Sequence, residues 1–333
     1  MFRSFTLIVG TLLIMGSVCG QKKKYRFSAN KMGSPFNITL FCDDSLKAAT
    51  LAKQSFLLVD SLVNILSDYD STSELSRISA HAGKGPLPVS STMWNILEKS
   101  KQFYEISKGS FDISIGALSH LWRKARKEKI FPDSPSIREA QKNVGLDKMI
   151  LDPLHRTVTL QKPGMILDMG GIGQGLIAQK VMNYLTQNQI TQALVDVSGD
   201  IVMSDAPDGT NGWTIGINLP EASEGLLPGK LRLHNMAVTT SGDVYQFMEH
   251  EGKKYSHIVD TRTGYGITSQ RNVTVIAPNG TDADWLTKAC SILPIALARK
   301  VVAKMHAEFL ITEWVNGKIV YHQTKGFRKY WKP

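Results

Sequence analysis

A glycine-rich segment between an apolar run and a helical pattern constrains this chain more than any other part of its sequence. Residues 167–175 read Leu-Asp-Met-Gly-Gly-Ile-Gly-Gln-Gly, and helical spacing follows over residues 176–185. Glycines let a backbone come close to an anion, and the free N–H groups at a helix start point towards it. The segment therefore fits a phosphate cradle. A tight structural turn would need the same glycines, and the residues match neither a Walker loop nor the full dinucleotide fingerprint.

The periodicity of the apolar residues predicts helices and strands that interleave. Helical spacing is found over residues 47–66, 93–106, 176–185, 283–293 and 296–306. Apolar or alternating runs predict strands over residues 36–41, 157–160, 165–169, 193–197, 213–218, 237–240, 257–259 and 273–277, and a hairpin over residues 310–314 and 318–321. This order has no strict βαβ rhythm, which favours the α+β class.

The first residues have the features of a signal peptide. Residues 1–20 carry one charge, and an apolar run over residues 7–15 precedes several small residues. That run is too short for a comfortable transmembrane helix. We expect cleavage after Gly20, export to the periplasm or another extracytoplasmic space, and a single folded domain over residues 21–333. The alternative is a lipid anchor at Cys19.

Composition and charge narrow the classes of function. A hydrophobic content of 42% and a charged content of 20% are typical of a folded globular protein. The formal net charge of +10 is compatible with a nucleic-acid partner, but export argues against one. We therefore expect no nucleic-acid partner, and we interpret the basic surface as one that attracts anionic ligands.

The cysteines give no sign of a metal or redox centre. Cys42 and Cys290 remain once the leader is removed, and each lies in an apolar context. Their spacing matches no metal-binding or redox motif. We expect free buried thiols, with one disulfide between them as the alternative.

Polar side chains that can do chemistry concentrate between residues 239 and 264. Asp243 supplies a carboxylate, His257 a titratable base and Arg262 a fork of donors for a phosphate. Each also has a structural explanation, since His257 fits a core histidine and residues 260–264 fit an Asx-type turn. The density of polar groups between two predicted strands favours a functional site.

Two acidic residues at a predicted helix start form a candidate metal site. Asp282 and Asp284 lie where the helical pattern of residues 283–293 begins. An acid there suits the helix dipole, which is a sufficient structural reason for it. Carboxylate oxygens at such a position also suit Mg²⁺, which takes few protein carboxylates and shares its coordination shell with phosphates.

These three segments, taken with three shorter ones, resemble one known family. The shorter segments are residues 32–34, 69–77 and 109–112. All of them occur in the order seen in the ApbE family, and the resemblance runs from about residue 31 to about residue 293. Its most specific part is residues 241–243 followed by residues 255–264.

The resemblance implies an α+β fold with mixed sheets, packed helices and a flavin-nucleotide cleft. Enzymes of the ApbE family bind FAD and Mg²⁺, move FMN from FAD to a threonine hydroxyl of a target protein, and release AMP. The target is typically a membrane-linked redox subunit. By position, His257 would be the base and Asp243 a second catalytic residue. The Gly171 carbonyl and Asp284 would hold the metal. The residues implied to contact FAD are Met32, Phe111, Asp112, Asp168, Gln174, Ser241 and Arg262.

Some positions depart from the family pattern. Gln174 stands where the family often has lysine, and Ala117 replaces a usual proline. Lys288 lies four residues after Asp284, where the family has a threonine or serine that binds the metal. A lysine ammonium is no metal ligand, so we expect it to pair with the Asp284 carboxylate one helical turn away. Thr287 is the nearest hydroxyl that can partly replace the missing ligand.

Two alternatives to a transferase remain. One is an exported FAD-binding protein with weak or no transfer activity, which the Lys288 departure favours. The other is hydrolysis of FAD to FMN and AMP, with water in place of the threonine.

Overall fold

The computed structural model describes residues 22–218, 225–242, 246–269, 271–315 and 318–332. The expected leader, with Cys19, lies outside the described residues, and so does Asp243. The described helices are α1 Ser45–Leu66, α2 Glu74–Ala80, α3 Ser91–Ile106, α4 Gly116–Glu128, α5 Ser134–Lys142, α6 Gly173–Gln187, α7 Gly280–Ile292 and α8 Ile295–Lys304. The described strands are β1 Lys23–Lys31, β2 Ser34–Cys42, β3 Leu87–Pro88, β4 Met149–Asp152, β5 Thr157–Leu160, β6 Ala193–Val197, β7 Asp200–Met203, β8 Trp213–Ile215, β9 Lys230–Leu233, β10 Met236–Ser241, β11 Phe247–His250, β12 Lys253–Ser256, β13 Arg271–Ala277, β14 Glu308–Val315, β15 Lys318–Gln323 and β16 Trp331–Lys332.

The largest sheet has eight strands in the order β1-β2-β6-β7-β10-β13-β14-β15. Every neighbouring pair in it is antiparallel. The remaining strands form small sheets in the orders β3-β5-β4, β11-β12 and β16-β9-β8. Antiparallel sheets combined with helices confirm the predicted α+β class.

Side chains on the two faces of the large sheet enter two separate hydrophobic clusters. Val273 and Val275 of β13 belong to the larger cluster, whereas Ile276 belongs to the smaller one. This separation follows from the alternation of side chains along a strand. The larger cluster also contains residues of α1, α6 and α7. Although α1 is long and apolar enough to cross a membrane, Leu51 and Val59 of its inner face are part of this core.

Helices α6 and α7 touch through glycine. A Cβ atom added at Gly175 would lie 2.1 Å from the carbonyl oxygen of Gly280. One added at Gly280 would lie 2.4 Å from the carbonyl oxygen of Gly175. Only residues without a side chain allow two backbones to come this close. The contact places the start of α6 directly against the start of α7.

Most of the predicted elements are confirmed, with shifted ends. The helix predicted over residues 176–185 starts earlier, at Gly173. The strand predicted over residues 213–218 is shorter, because β8 covers only its first half. The expectation of free buried thiols is confirmed for Cys42 and Cys290.

The strand predicted over residues 165–169 is wrong. The N–H of Asp168 donates to the carbonyl of Ile113 at 2.7 Å, and the carbonyl of Ile166 accepts from Gly116 at 3.0 Å. The N–H of Leu167 instead donates to a serine hydroxyl of α2. Because these backbone groups bond to different parts of the chain, the segment makes only an isolated bridge.

The strand predicted over residues 257–259 is also wrong. Strand β12 ends at Ser256, whose hydroxyl accepts the N–H of Ile258 at 3.2 Å. A serine side chain that bonds the nearby backbone competes with the hydrogen bonds of a sheet. The N–H of His257 bonds to the carbonyl of Gln246 at 2.9 Å. His257 therefore lies in a bend just after the strand.

We expect Gly175→Ala to lower the free energy of unfolding by about 1–3 kcal/mol or more, because the new methyl group has no space between α6 and α7. Gly173→Ala is the matched control in the same helix. Its Cβ would meet only an ordinary contact of 3.9 Å with Met169. Urea unfolding of both variants is the measurement, and equal stabilities would contradict the close contact.

Candidate functional site

Asp168 holds the glycine-rich turn in shape. One of its carboxylate oxygens accepts the N–H of Gly170 at 2.7 Å. The other accepts the hydroxyl of Ser119 and the guanidinium of Arg123, the latter at 2.9 Å. Both oxygens are therefore engaged within the protein, and they fix the turn that leads into Gly173 at the start of α6. The predicted turn before a helix start is confirmed.

Asp284 lies buried against the start of α6. The residue is 1% exposed, and its Oδ2 accepts the N–H of Gly175 at 3.0 Å. Gly175 is in the first turn of α6, where backbone N–H groups have no partner within the helix. The Oδ1 of Asp284 has no hydrogen-bond donor among the described residues. The carboxylate thus caps one helix with one oxygen and keeps the other free of hydrogen bonds.

The Lys288 ammonium lies 3.2 Å from this Oδ1 of Asp284. It faces the oxygen at ion-pair distance but without the alignment of a hydrogen bond. The expected pairing of Lys288 with Asp284 is confirmed. Thr287, which donates to the Asp284 carbonyl at 2.7 Å, also accepts from the Lys288 ammonium at 3.2 Å. The Thr287 hydroxyl thus positions the lysine, and its service as a metal ligand stays a prediction.

Phe111 and Gly171 lie beside the stem of Lys288. A Cβ atom at Gly171 would be 3.2 Å from Cγ of Lys288 and 3.4 Å from Cε2 of Phe111. Phe111 packs against Phe103 and Trp285, with ring centroids 6.2 and 5.7 Å apart. The structure therefore brings a residue predicted to contact FAD together with one predicted to hold the metal.

Asp112 shapes the loop before α4. Its Oδ1 accepts the N–H and the hydroxyl of Ser114, at 2.7 and 2.6 Å. The Ser114 hydroxyl accepts the N–H of Gly145 at 2.7 Å in turn. Burial raises the pKa of Asp112. Its contact with FAD stays a prediction.

Asp200 is a buried carboxyl near Asp284 that the sequence patterns did not reveal. Burial and the neighbouring charge of Asp284 raise the pKa of Asp200 to about 8. The Thr239 hydroxyl donates to it at 2.7 Å. The raised pKa favours the uncharged form of Asp200 beside Asp284. The sequence feature that could have indicated it is an acidic residue at the start of the apolar strand β7.

His257 is neutral in this environment. Although the residue keeps some contact with solvent, burial, the Lys288 ammonium and the Arg126 guanidinium lower its pKa to about 4. Its Nδ1 lies 3.2 Å from the carbonyl oxygen of Gln246. A carbonyl only accepts, so we assign the ring hydrogen to Nδ1. The unprotonated Nε2 is then the nitrogen that can take a proton.

Arg262 is paired inside its own turn. Its Nε and one terminal nitrogen donate to the two oxygens of Asp260, at 2.9 and 2.7 Å. The backbone N–H of Arg262 also donates to Asp260, at 3.0 Å. This is the Asx-type turn that the sequence left as an alternative. The Arg262 guanidinium thus has Asp260 as a partner within the protein, and its contact with FAD stays a prediction.

The other residues predicted to contact FAD lie at the ends of elements. Met32 occupies the turn between β1 and β2 with a φ of 55°, and Gln174 is a partly exposed residue of the first turn of α6. Ser241 ends β10 and is 5% exposed. Their contacts with FAD stay predictions, as does the role of Asp243, which lies outside the described residues.

A model of the ApbE family matches residues 32–311 of this chain. The chain belongs to the ApbE family. It is 33% identical over 265 residues to the FAD:protein FMN transferase of Klebsiella pneumoniae (strain 342), and the aligned region covers 79% of this chain and 81% of that protein. It is 31% identical over 256 residues to the FAD:protein FMN transferase of Treponema pallidum (strain Nichols), and the aligned region covers 72% of this chain and 70% of that protein.

Solved structures share the fold of this ApbE-family chain. The flavin transferase ApbE from Vibrio cholerae has a TM-score of 0.82 at 21% identity, covering 93% of this chain and 99% of that one. The ApbE protein from Thermotoga maritima has a TM-score of 0.82 at 23% identity, covering 93% and 100%. The predicted ApbE-like fold is confirmed.

Helix α4, which the apolar pattern missed, supplies charged residues that pair with Asp168 and with Asp68. Arg123 of α4 donates to Asp68 as well as to Asp168, and its guanidinium lies 4.5 Å from the ring centroid of Tyr69. His120, also on α4, lies 3.0 Å from the same Asp68 carboxylate. The helix is rich in basic residues, and these obscured the helical spacing of its apolar residues in the sequence.

We expect His257 to titrate near pH 4 in the folded protein, against about 6.5 in the unfolded chain. Between these values the unfolded chain binds a proton that the folded protein does not, so stability falls as the pH drops through this window. NMR titration, with His257→Gln to assign the signal, measures the pKa. The variant should also lose less stability than wild type between pH 6.5 and 4. A midpoint near 6.5 with equal pH dependence would contradict the assignment.

Proposed function

We propose that this protein is an FAD:protein FMN transferase, which moves FMN from FAD to a threonine hydroxyl of an acceptor protein and releases AMP. The observation that carries the proposal is a neutral His257 whose pKa the Lys288 ammonium helps to lower. This ammonium lies 3.2 Å from Asp284, the residue of α7 that caps the start of α6. Phosphoryl transfer to a hydroxyl needs an uncharged base and positive groups near the phosphates. The names of the relatives at 33% and 31% identity support the same reaction.

The reaction exchanges one P–O bond for another. The hydroxyl oxygen of the acceptor attacks the phosphorus atom of the FMN half of FAD, and the bond from that phosphorus to the bridging oxygen breaks. AMP leaves with the bridging oxygen, and the hydroxyl proton passes to Nε2 of His257. The Gln246 carbonyl keeps the other ring nitrogen protonated, so only Nε2 is available as base.

The start of α6 suits the phosphates of FAD. Asp168 fixes the glycine-rich turn, and backbone N–H groups of a helix start attract anions. Gly170 and Gly175 donate their N–H groups to Asp168 and Asp284, and the N–H groups of residues 172 and 173 donate to the carbonyl of Met169. We therefore leave the N–H groups of Gly171 and Gln174 for the substrate. We assign the diphosphate of FAD to this turn.

We also propose that Mg²⁺ takes part, held by Asp284 and the Gly171 carbonyl. The buried Oδ1 of Asp284, which no described donor meets in hydrogen-bond geometry, suits one metal ligand. Mg²⁺ takes few protein carboxylates and completes its shell with phosphate oxygens. When bound, Mg²⁺ would neutralise charge on the diphosphate.

The acceptor and location belong to the same proposal. The pattern of residues 1–20 supports export or a lipid anchor at Cys19. An exported transferase meets acceptors outside the cytoplasm, and we propose a membrane-linked redox subunit with an accessible threonine. No nucleic-acid partner is proposed.

We expect His257→Gln to slow transfer by roughly 10²–10⁴-fold while the affinity for FAD stays within about twofold, because a base acts on the rate and not on ground-state binding. The assay contains FAD, Mg²⁺ and an acceptor, and it follows AMP and protein-bound flavin. His155→Gln is the matched control, since His155 is an exposed residue paired with Asp152.

Each outcome of this assay selects one reaction. AMP released together with protein-bound flavin supports the transferase. AMP without bound flavin indicates FAD hydrolysis, and FAD binding without AMP indicates a binding protein. A His257 variant that transfers normally at saturating FAD would sink the assignment of the base.

We expect Lys288→Thr to lower the Mg²⁺ concentration needed for half-maximal transfer. The substitution removes the ammonium 3.2 Å from Oδ1 of Asp284 and adds a hydroxyl. Calorimetric titration of Mg²⁺ into the FAD complex should show tighter binding as well. Lys180→Thr removes the same charge from an exposed position on α6 and should change neither result. Unchanged Mg²⁺ binding in Lys288→Thr would mean that the lysine does not compete with the metal.

A further inference from the structure

One face of α4 leads away from the glycine-rich turn. Ser119, Arg123 and Arg126 are spaced four and three residues apart, so they line one side of the helix. The first two contact Asp168 in the turn. Arg126 is the next residue along this face, close to one helical turn beyond Arg123.

The same helix is fastened to the segment that carries His257. The buried indole of Trp122 donates to the carbonyl of Gly264 at 2.8 Å. Its ring also stacks with Tyr255 of β12 at 6.0 Å between centroids. Tyr255 precedes His257 by two residues, so this packing sets the distance between α4 and the histidine. The positive charge of Arg126 helps to lower the pKa of His257.

Arg126 has no carboxylate partner among the residues that the structure describes. Its neighbour Arg123 is paired with Asp68 and Asp168. In the part of the chain that the structure describes, no Asp or Glu side chain lies within ion-pair distance of Arg126. Burial and the adjacent Arg123 charge lower the pKa of Arg126. A half-buried guanidinium beside a second one creates a positive site that an anion stabilises.

We propose that Arg126, on the face of α4 whose Ser119 and Arg123 contact Asp168, binds a phosphate group of the dinucleotide substrate. The assignment rests on the proposed function, because it takes the diphosphate of FAD as the anion. Arg126 approaches from α4 and Lys288 from α7. A planar guanidinium suits phosphate oxygens because it donates two parallel hydrogen bonds. Arg126 supplies such a fork from α4, and the contact of Arg262 with FAD stays a separate prediction.

The test compares Arg126→Gln with Lys127→Gln, which removes the same charge from an exposed position on the same helix. Calorimetry with FAD should show roughly 10- to 100-fold weaker binding for Arg126→Gln, the loss expected for a charge-assisted hydrogen bond. Lys127→Gln should bind FAD like wild type. Riboflavin, which has the same ring system and no phosphate, should bind all three proteins equally, and inorganic pyrophosphate should compete with FAD less well in Arg126→Gln.

A second variant keeps the test valid if Arg126→Gln folds poorly. Arg126→Lys retains the charge but loses the fork, so its FAD affinity should fall between wild type and Arg126→Gln while its melting temperature stays near that of wild type. FAD binding within about twofold of wild type in the Arg126 variants would overturn the inference and leave the transferase proposal standing. Equal losses for riboflavin and FAD would overturn it too. A wild-type protein that binds no FAD would overturn both the Arg126 inference and the transferase proposal.

Discussion

The contact between the starts of α6 and α7 is the constraint on which the site depends. Gly175 and Gly280 let the two backbones meet, and Asp284 then caps the first turn of α6 through the Gly175 N–H. A buried carboxylate is tolerated only when hydrogen bonds or a cation compensate it. One oxygen has its hydrogen bond, and the other leaves a position for positive charge. The packing of two helices thus determines where a cation must lie.

Lys288 fills that position and has a second effect. Its ammonium pairs with Asp284, and the same charge helps to keep His257 unprotonated. The cation beside the proposed metal ligand therefore also acts on the proposed base. Burial and the neighbouring Asp284 raise the pKa of Asp200, which lowers the negative charge beside the Asp284–Lys288 pair. An incoming diphosphate shifts this balance, and the proposed roles of Mg²⁺ and Arg126 both answer its added negative charge.

Local sequence predicted much of the fold, because burial of one face repeats every two or about four residues. The helix after the glycine-rich turn and the hairpin β14–β15 are confirmed on this basis. The failures have local polar causes. Residues 165–169 bond to several parts of the chain instead of one strand, and the Ser256 hydroxyl takes an N–H that a strand would need. Helix α4 was missed because its basic residues obscure the apolar period.

The sequence by itself determined the fold class, the ApbE family and the pairing of Asp284 with Lys288, since each depends on residue types at short spacings. Only the tertiary structure decided which polar groups remain free to act. The guanidinium of Arg262 is already paired with Asp260. Arg126 has no carboxylate partner among the described residues, and its charge helps to lower the pKa of His257. The Arg262 pair is local, whereas burial and the charges of Lys288 and Arg126, both far away in the chain, set the state of His257. Electrostatic interactions act through space between elements far apart in the chain, so spacing along the sequence does not encode them.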